Sequence, residues 1–288
     1  GNDKSGNGLH VTQATADQKP ATGSSTQNGL NVLSFDGTDF LEKSSSNIQN
    51  VDQTWFILGQ ADAVNNSGDS FLSYGSWANG TWQFNANAGS AFFGKILKNA
   101  SSLNTNLASN SNIIGSFHLF TFAFNRGAST LSSWMNGTHF DNAIGDSTAL
   151  AANQKFRIMG SRNGTPQTLG GKVAEVLYIK SVSATDRSRI EGYLAHKWNL
   201  TNRLAGGHAY ASSAPTFDDP VAGVDLTLYW GSNDGGENPA EWEQEVALGR
   251  FHKEQVDVNG FNGYGYQSTW RNDSYLRNVE NLRSASHD

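Results

Sequence analysis

The stretch Asn238 to Gly249, NPAEWEQEVALG, sets three carboxylates, Glu241, Glu243 and Glu245, at alternate positions. Glycoside hydrolysis uses a carboxylate pair, one member as nucleophile or base and the other as acid, so this spacing has a chemical rationale. Alternate residues share a face only if the segment is a strand. The flanking residues favour a helical turn: Asn238 suits an N-cap, Pro239 the first helical position, and Glu241 lies three residues after the cap as a capping box requires. On such a turn Glu243 points away from its neighbours, and the glutamates read as surface residues.

Other residues are suited to binding. Aromatic faces stack on the apolar face of a pyranose ring, and Trp77 and Trp82 flank the turn SWANGTW, with Asn79 and Asn136 as hydroxyl partners. Trp55, Trp134, Phe92 and Phe93 could also stack on sugar, but most of these aromatics should be core, and Trp55, Phe56 and the Phe120 series, inside strand runs, are buried by default. The seven histidines are scattered without the spacing of a helical zinc motif, and His196 reads as a packed side chain. Neither a G-x-S-x-G elbow nor a phosphate loop occurs. The sequons at Asn79 and Asn136 mark exposed turns.

Composition sets the scaffold. Of 288 residues only 16% are charged, and 31 glycines with abundant Asn, Ser and Thr take the place of charge, so few long helices are expected and turns are plentiful. A net charge of −6 without basic runs argues against a nucleic-acid surface. No apolar run is long enough to span a bilayer, and the absence of cysteine removes disulfide and thiol chemistry.

The elements that must position these residues are short β-prone runs between Gly- and Asn-rich turns: LNVLSFDG, TWFILGQA, SFLSYGS, WQFNA, FHLFTFAF, LSSWMNG, KFRIMGS and KVAEVLYI. Their alternation and regular punctuation predict an all-β sandwich. One segment, Ser183 to Leu200, departs from it: Ile190, Tyr193, Leu194 and Trp198 follow helical spacing, and Ser183 with Asp186 forms a cap. A Gly-, Ser- and Pro-rich stretch then leads to a second β-rich block. The expected organisation is a sandwich over 1–205, a linker over 206–222 and a smaller β-module over 223–288.

The segments NDKSGNGLHVTQAT, GLNVLSFDGTDFL and KVAEVLYIKSVSATDRSRIEGYLAHKWNL together resemble the laminin-G-like, concanavalin-type jelly roll of exported bacterial proteins and phage structural proteins. The block LTLYWGSNDGGENPAEWEQEVALG resembles the start of a fibronectin-type-III-like module. The acidic alternation also resembles the motif of laminarinase-type glucanases, but those enzymes carry it on a central strand of the sandwich, whereas here it lies beyond the jelly roll. The resemblance implies a non-catalytic, lectin-like binding or adhesion module for carbohydrate, outside the cell, on its surface or on a virion. It also implies calcium on the rim, with Asp36 and Asp39 of FDGTDF as the nearest matching ligands. The alternatives are a structural subunit of a filament, surface layer or virion, in which neighbouring subunits are the partners, and a hydrolase using Glu241 and Glu245. Family members begin with an apolar strand that is missing before NDKSGNG, so Val173 to Ile179 is expected to be an edge completed by upstream residues or by another subunit.

Overall fold

The computed structural model describes residues 9–215 apart from 47, 49–50, 65–67, 77, 87–91, 99–100, 107–113, 145–148 and 162–166. The expected module over 223–288, and with it Glu241, Glu243 and Glu245, lies outside the described residues, as does Trp77. Residues Leu9–Ala211 form one compact unit.

Two antiparallel sheets face one another. The first runs β1 (Ala21–Gln27), β2 (Leu30–Phe35), β15 (Gly170–Ile179), β4 (Gln53–Ala63), β9 (His118–Asn125), β10 (Thr130–Met135) and β11 (Thr138–Ile144). The second runs β3 (Leu41–Ser46), β12 (Gln154–Ile158), β5 (Ser70–Tyr74), β6 (Trp82–Ala86), β7 (Phe92–Lys98) and β8 (Ser101–Asn106). A two-residue ribbon, β13 (Gly160–Ser161) with β14 (Gln167–Thr168), and a helix, α1 (Ala184–Lys197), complete the described unit. This is the all-β sandwich with one α-helix that the residue pattern predicts, in the jelly-roll form that the resemblance implies.

The core between the sheets is aromatic. Trp55, Trp82, Tyr74, Phe71, Phe84, Phe120, Phe122 and Phe124 are all buried there. Trp55 stacks on Tyr178 with ring centroids 4.5 Å apart and tilts against Trp82 at 5.0 Å. Alternation along β4 sends Trp55 and Ile57 into this core, so Phe56 and Leu58 must face the other way, and yet both are fully buried. Helix α1 covers that second face. Ser183 caps it, its hydroxyl accepting the Asp186 N–H at 3.0 Å. Ile190, Leu194 and Trp198 are buried as their spacing predicts. The Trp198 indole N–H donates to Glu175 on β15 at 2.7 Å.

The covering helix brings a charge inside. Glu191 has no exposed surface; the Thr121 hydroxyl donates to it at 2.9 Å, and Arg187, one turn earlier, reaches both its oxygens at 2.9 and 2.8 Å. Residues 206–211, at the start of the expected linker, are fastened to the helix: Nε2 of His196 meets the Tyr210 carbonyl at 2.9 Å, and Arg189 donates to the Tyr210 hydroxyl.

The expected open edge at Val173 to Ile179 is overturned only at its start. Strand β15 sits between β2 and β4 in the seven-stranded sheet, paired with β2 at Gly171 to Val173 and with β4 along its length to Ile179, so that beyond Val173 strand β4 is its one ladder partner among the described residues. The β1–β2 hairpin of the same chain supplies the neighbour that the sequence places nowhere in particular. Strand β1 is an edge instead, and it is polar, exposed and irregular in register, features that discourage pairing with other chains.

Because α1 rests on one large anchor at its C-terminal end, Trp198→Ala is expected to cost roughly 3 to 5 kcal/mol. Denaturant unfolding measures it, and an unchanged midpoint would show the helix to be peripheral.

Candidate functional site

Three of the residues expected to contact sugar are described, and the fold does not gather them. Trp82 is 1% exposed, its ring 5.4 Å from Phe122 and 6.1 Å from Tyr74 in the central core. It faces inward because it shares a face of β6 with Phe84, which lies in the same core. Asn136 is buried too. It opens the two-residue Asn136-Gly137 turn between β10 and β11, with φ at +52° and +78°, the turn type that Asn-Gly favours in hairpins. Its amide is spent inside the protein: Oδ1 accepts the Leu119 N–H at 2.9 Å and Nδ2 meets His118 Nδ1 at 2.9 Å. Asn79 alone of the three is exposed, in the turn between β5 and β6.

Asp36 and Asp39 line an open depression of about 340 Å3 together with Asp17, Lys19, Ser34 and Phe35. One oxygen of each is engaged by their own turn. Asp36 Oδ1 accepts both the N–H and the hydroxyl of Thr38 at 2.8 Å, and Asp39 Oδ2 accepts the Asp36 N–H at 3.0 Å. Those hydrogen bonds from Thr38 hold the Asp36 carboxyl below its ordinary range, while burial pushes that of Asp39 up. Among the described residues no group of three His, Cys, Asp or Glu side chains could hold a metal ion. The pair thus forms an aspartate turn in which Asp36 Oδ1 and Asp39 Oδ2 already accept hydrogen bonds from the turn itself.

A different group of polar side chains comes together on the outer face of the six-stranded sheet. Register aligns Glu42, Arg157, Ser73 and Gln83 across β3, β12, β5 and β6, and continues to Lys95 and Asn104 in β7 and β8. The adjacent rows on either side, Leu41 to Leu72 to Phe84 and Phe156 to Tyr74 to Trp82, point into the core. Glu42, Arg157, Ser73 and Gln83 therefore face outward by strand alternation. The row is nonetheless recessed: Arg157 is 6%, Ser73 1% and Gln83 3% exposed.

The ribbon β13 helps to shape this face. Met159, fully buried, takes a left-handed φ of +59°, a conformation costly for a non-glycine residue, and so turns the chain out of β12. Its N–H donates to Phe71 O at 2.8 Å. Gly160 and Ser161 then cross the row, where the Ser73 hydroxyl donates to Gly160 O at 2.7 Å and Arg157 Nη1 donates to Ser161 O at 3.3 Å. Glu42 orients Arg157, accepting from its Nε at 2.7 Å, and pairs with Lys155 at 3.0 Å. Burial raises the Glu42 carboxyl, but hydrogen bonds from Lys155 and Arg157, with their charges, more than offset it and hold it below the ordinary range.

What stands out is what the row leaves unused. Both ends of the Gln83 carboxamide, and the fully buried Ser161 hydroxyl, have no hydrogen-bonding partner. Buried polar groups in proteins are mostly paired, because leaving one unmade costs about 1 to 3 kcal/mol; Trp82 Nε1, Ser133 Oγ and Tyr178 Oη are also without a partner here. No motif marks Gln83. The signal available in the sequence is the polar glutamine between the apolar residues of WQFNA, which assigns a face and says nothing of recess.

No protein-family model and no curated protein matches the chain. Solved structures do. The botulinum neurotoxin serotype G binding domain aligns with a TM-score of 0.50 at 11% identity, covering 73% of this chain and 51% of that one. The Ruminococcus gnavus IT-sialidase CBM40 bound to alpha2,3 sialyllactose aligns at 0.40 and 13% identity, covering 51% of this chain and 95% of that one. The heptameric SAP-like pentraxin of Limulus polyphemus aligns at 0.40 and 9%, covering 59% and 74%. At such identities the likeness is one of fold, the concanavalin-like jelly roll.

Two outcomes follow from the row. Gln83→Leu removes an unsatisfied amide at similar volume and should raise the unfolding midpoint, by up to about 1 to 3 kcal/mol in stability; a lowered midpoint would mean that the amide is paired in solution. Glu42, with a depressed carboxyl, contributes stability that is complete above the unfolded carboxylate range, about pH 4.3, and is lost as pH falls through its lower folded value. The stability gap between the protein and its Glu42→Gln variant should therefore narrow in acid, and a gap constant with pH would refute the pairing.

Proposed function

We propose that the sandwich is a non-catalytic binding module directed at carbohydrate, working outside the cell or at its surface. The observation that carries this reading is the recessed polar row on the outer face of the six-stranded sheet, in which the Gln83 carbonyl and amide N–H groups and the Ser161 hydroxyl have no partner within the protein. Sugars present hydroxyls that donate and accept together, which is what such a row can pair. Solved structures of this fold include a carbohydrate-binding module with sialyllactose bound, which makes the reading consistent with the scaffold without assigning a ligand to this chain. A partner surface built on apolar contact has less support: among the described residues the large exposed hydrophobics are Leu30 and Val51. The subunit reading loses only the start of the β15 edge that motivated it, where β2 pairs with Gly171 to Val173.

A panel of plant, algal and bacterial glycans tests the proposal, with and without a calcium chelator. Binding by the protein and roughly tenfold weaker binding by Gln83→Ala are expected, in line with the loss of about one buried hydrogen bond. Binding that the chelator abolishes would restore the calcium expectation at the rim. Silence across every glycan class would retire the reading. Turnover of a β-glucan, lost in Glu241→Gln, would replace it with the hydrolase.

A further inference from the structure

Among the described residues asparagine precedes glycine at Asn28, Asn79 and Asn136. Such a pair carries its own reaction. The glycine nitrogen can attack the asparagine Cγ, and because glycine brings no side chain and turns freely, it hinders that approach least of all residues.

The fold sorts these pairs. Asn28-Gly29 and Asn136-Gly137 close their hairpins with the same turn, φ being +50° and +73° in the first and +52° and +78° in the second, so local conformation does not distinguish them. Their surroundings do. Asn136 is buried with both ends of its amide bonded, and a Cβ on Gly137 would lie 2.6 Å from the His208 ring. Asn79 is exposed, but a Cβ on Gly80 would meet Ala149 O and Ala151 N at 2.6 Å, so its neighbour has no room to swing. Asn28 and Gly29 are both exposed, and a Cβ on Gly29 would find nothing within 4 Å. The strand behind them, β1, is a largely exposed edge whose register shifts between Ala21 and Ser25, the kind of element that opens locally at little cost.

The Asn28 amide is also a fastening. Its Nδ2 donates to Lys197 O, at the C-terminal end of α1, at 2.9 Å. We propose that Asn28 is a site of self-modification through which the β1–β2 hairpin loosens its own hold on α1. The Gly29 nitrogen bonds to Cγ and gives up its proton, the side-chain amide takes a proton and leaves as ammonia, and water then opens the cyclic imide at either carbonyl. Aspartate or isoaspartate results, with no oxidant and no second protein. The donor becomes a carboxylate facing the carbonyl end of a helix, where negative charge is disfavoured. Isoaspartate also lengthens the main chain inside the turn, which the Asn-Gly hairpin geometry does not accommodate.

The test incubates the folded full chain in mildly alkaline buffer and maps its peptides by mass spectrometry. Asn28 should convert to a mixture of aspartate and isoaspartate more than about tenfold faster than Asn136, because an exposed turn opens readily and a buried one opens only with its surroundings. In denaturant these pairs should convert within about threefold of one another, since only the fold separates them. Asn28→Asp, which sets the product in place, should unfold at lower denaturant than the parent near neutral pH. That gap should shrink as pH falls through the ordinary carboxylate range, about pH 4, where the side chain is protonated and can donate again. Conversion of Asn79 or Asn136 ahead of Asn28, or an Asn28 still intact in the folded chain after its denatured counterpart has converted, overturns the site. Aspartate without isoaspartate overturns the cyclic route. An unfolding midpoint unchanged in Asn28→Asp overturns the loosening.

Discussion

A sheet that is apolar on both faces has to be covered twice, and most of this architecture answers that requirement. Strand β4 sends Trp55 and Ile57 one way and Phe56 and Leu58 the other, with all four buried. The facing sheet covers the first side; α1 has to cover the second. The helix is keyed in place by Glu191, whose burial would be strongly unfavourable without Arg187 and Thr121 around it. Its C-terminal carbonyls are met by the β1–β2 hairpin, with Gln27 donating to Trp198 O at 2.8 Å and Asn28 to Lys197 O at 2.9 Å. Helix, hairpin and the 205–211 segment close one side of the sandwich as a unit.

That closure leaves the two outer faces unequal. One is sealed by apolar packing and a buried ion pair. The other, on the six-stranded sheet, carries a polar row crossed by β13 through main-chain carbonyls that accept from Ser73 and Arg157. Holding a short ribbon over a row of polar groups costs a left-handed buried Met159, and that local strain persists because Phe71 and Leu169 pin the turn from both sides. The polar row accordingly lies on the face that the core does not need.

The residues that looked most like a sugar site from their types are mostly structural. Trp82 lies next to an exposed turn in sequence, but the first residue of a strand already obeys the strand's alternation, and its parity with Phe84 commits it to the core. Asn136 was rightly placed in a turn; being in a turn did not expose it, because the backbone of Leu119 and Ala205 closes over it. Asp36 and Asp39 share a turn as their spacing suggests, and each engages one oxygen locally. Gln83 had no such appeal. Its place beside Ser73 and Arg157 depends on three strands that are remote in sequence.

Local pattern by itself determined the all-β class, the helix with its Ser183 cap, the buried Ile190, Leu194 and Trp198 stripe, and the Asn-Gly hairpin at Asn136. These are contacts between near neighbours, where period, capping and turn chemistry act directly. Tertiary structure alone decided that β15 lies between β2 and β4, that a tryptophan beside a surface turn is core, and that a glutamine flanked by aromatics joins a recessed polar row. Each of those outcomes rests on ladders between strands far apart in the chain. Alternation assigns every strand two faces, and only the pairing of strands decides which face is covered and by what.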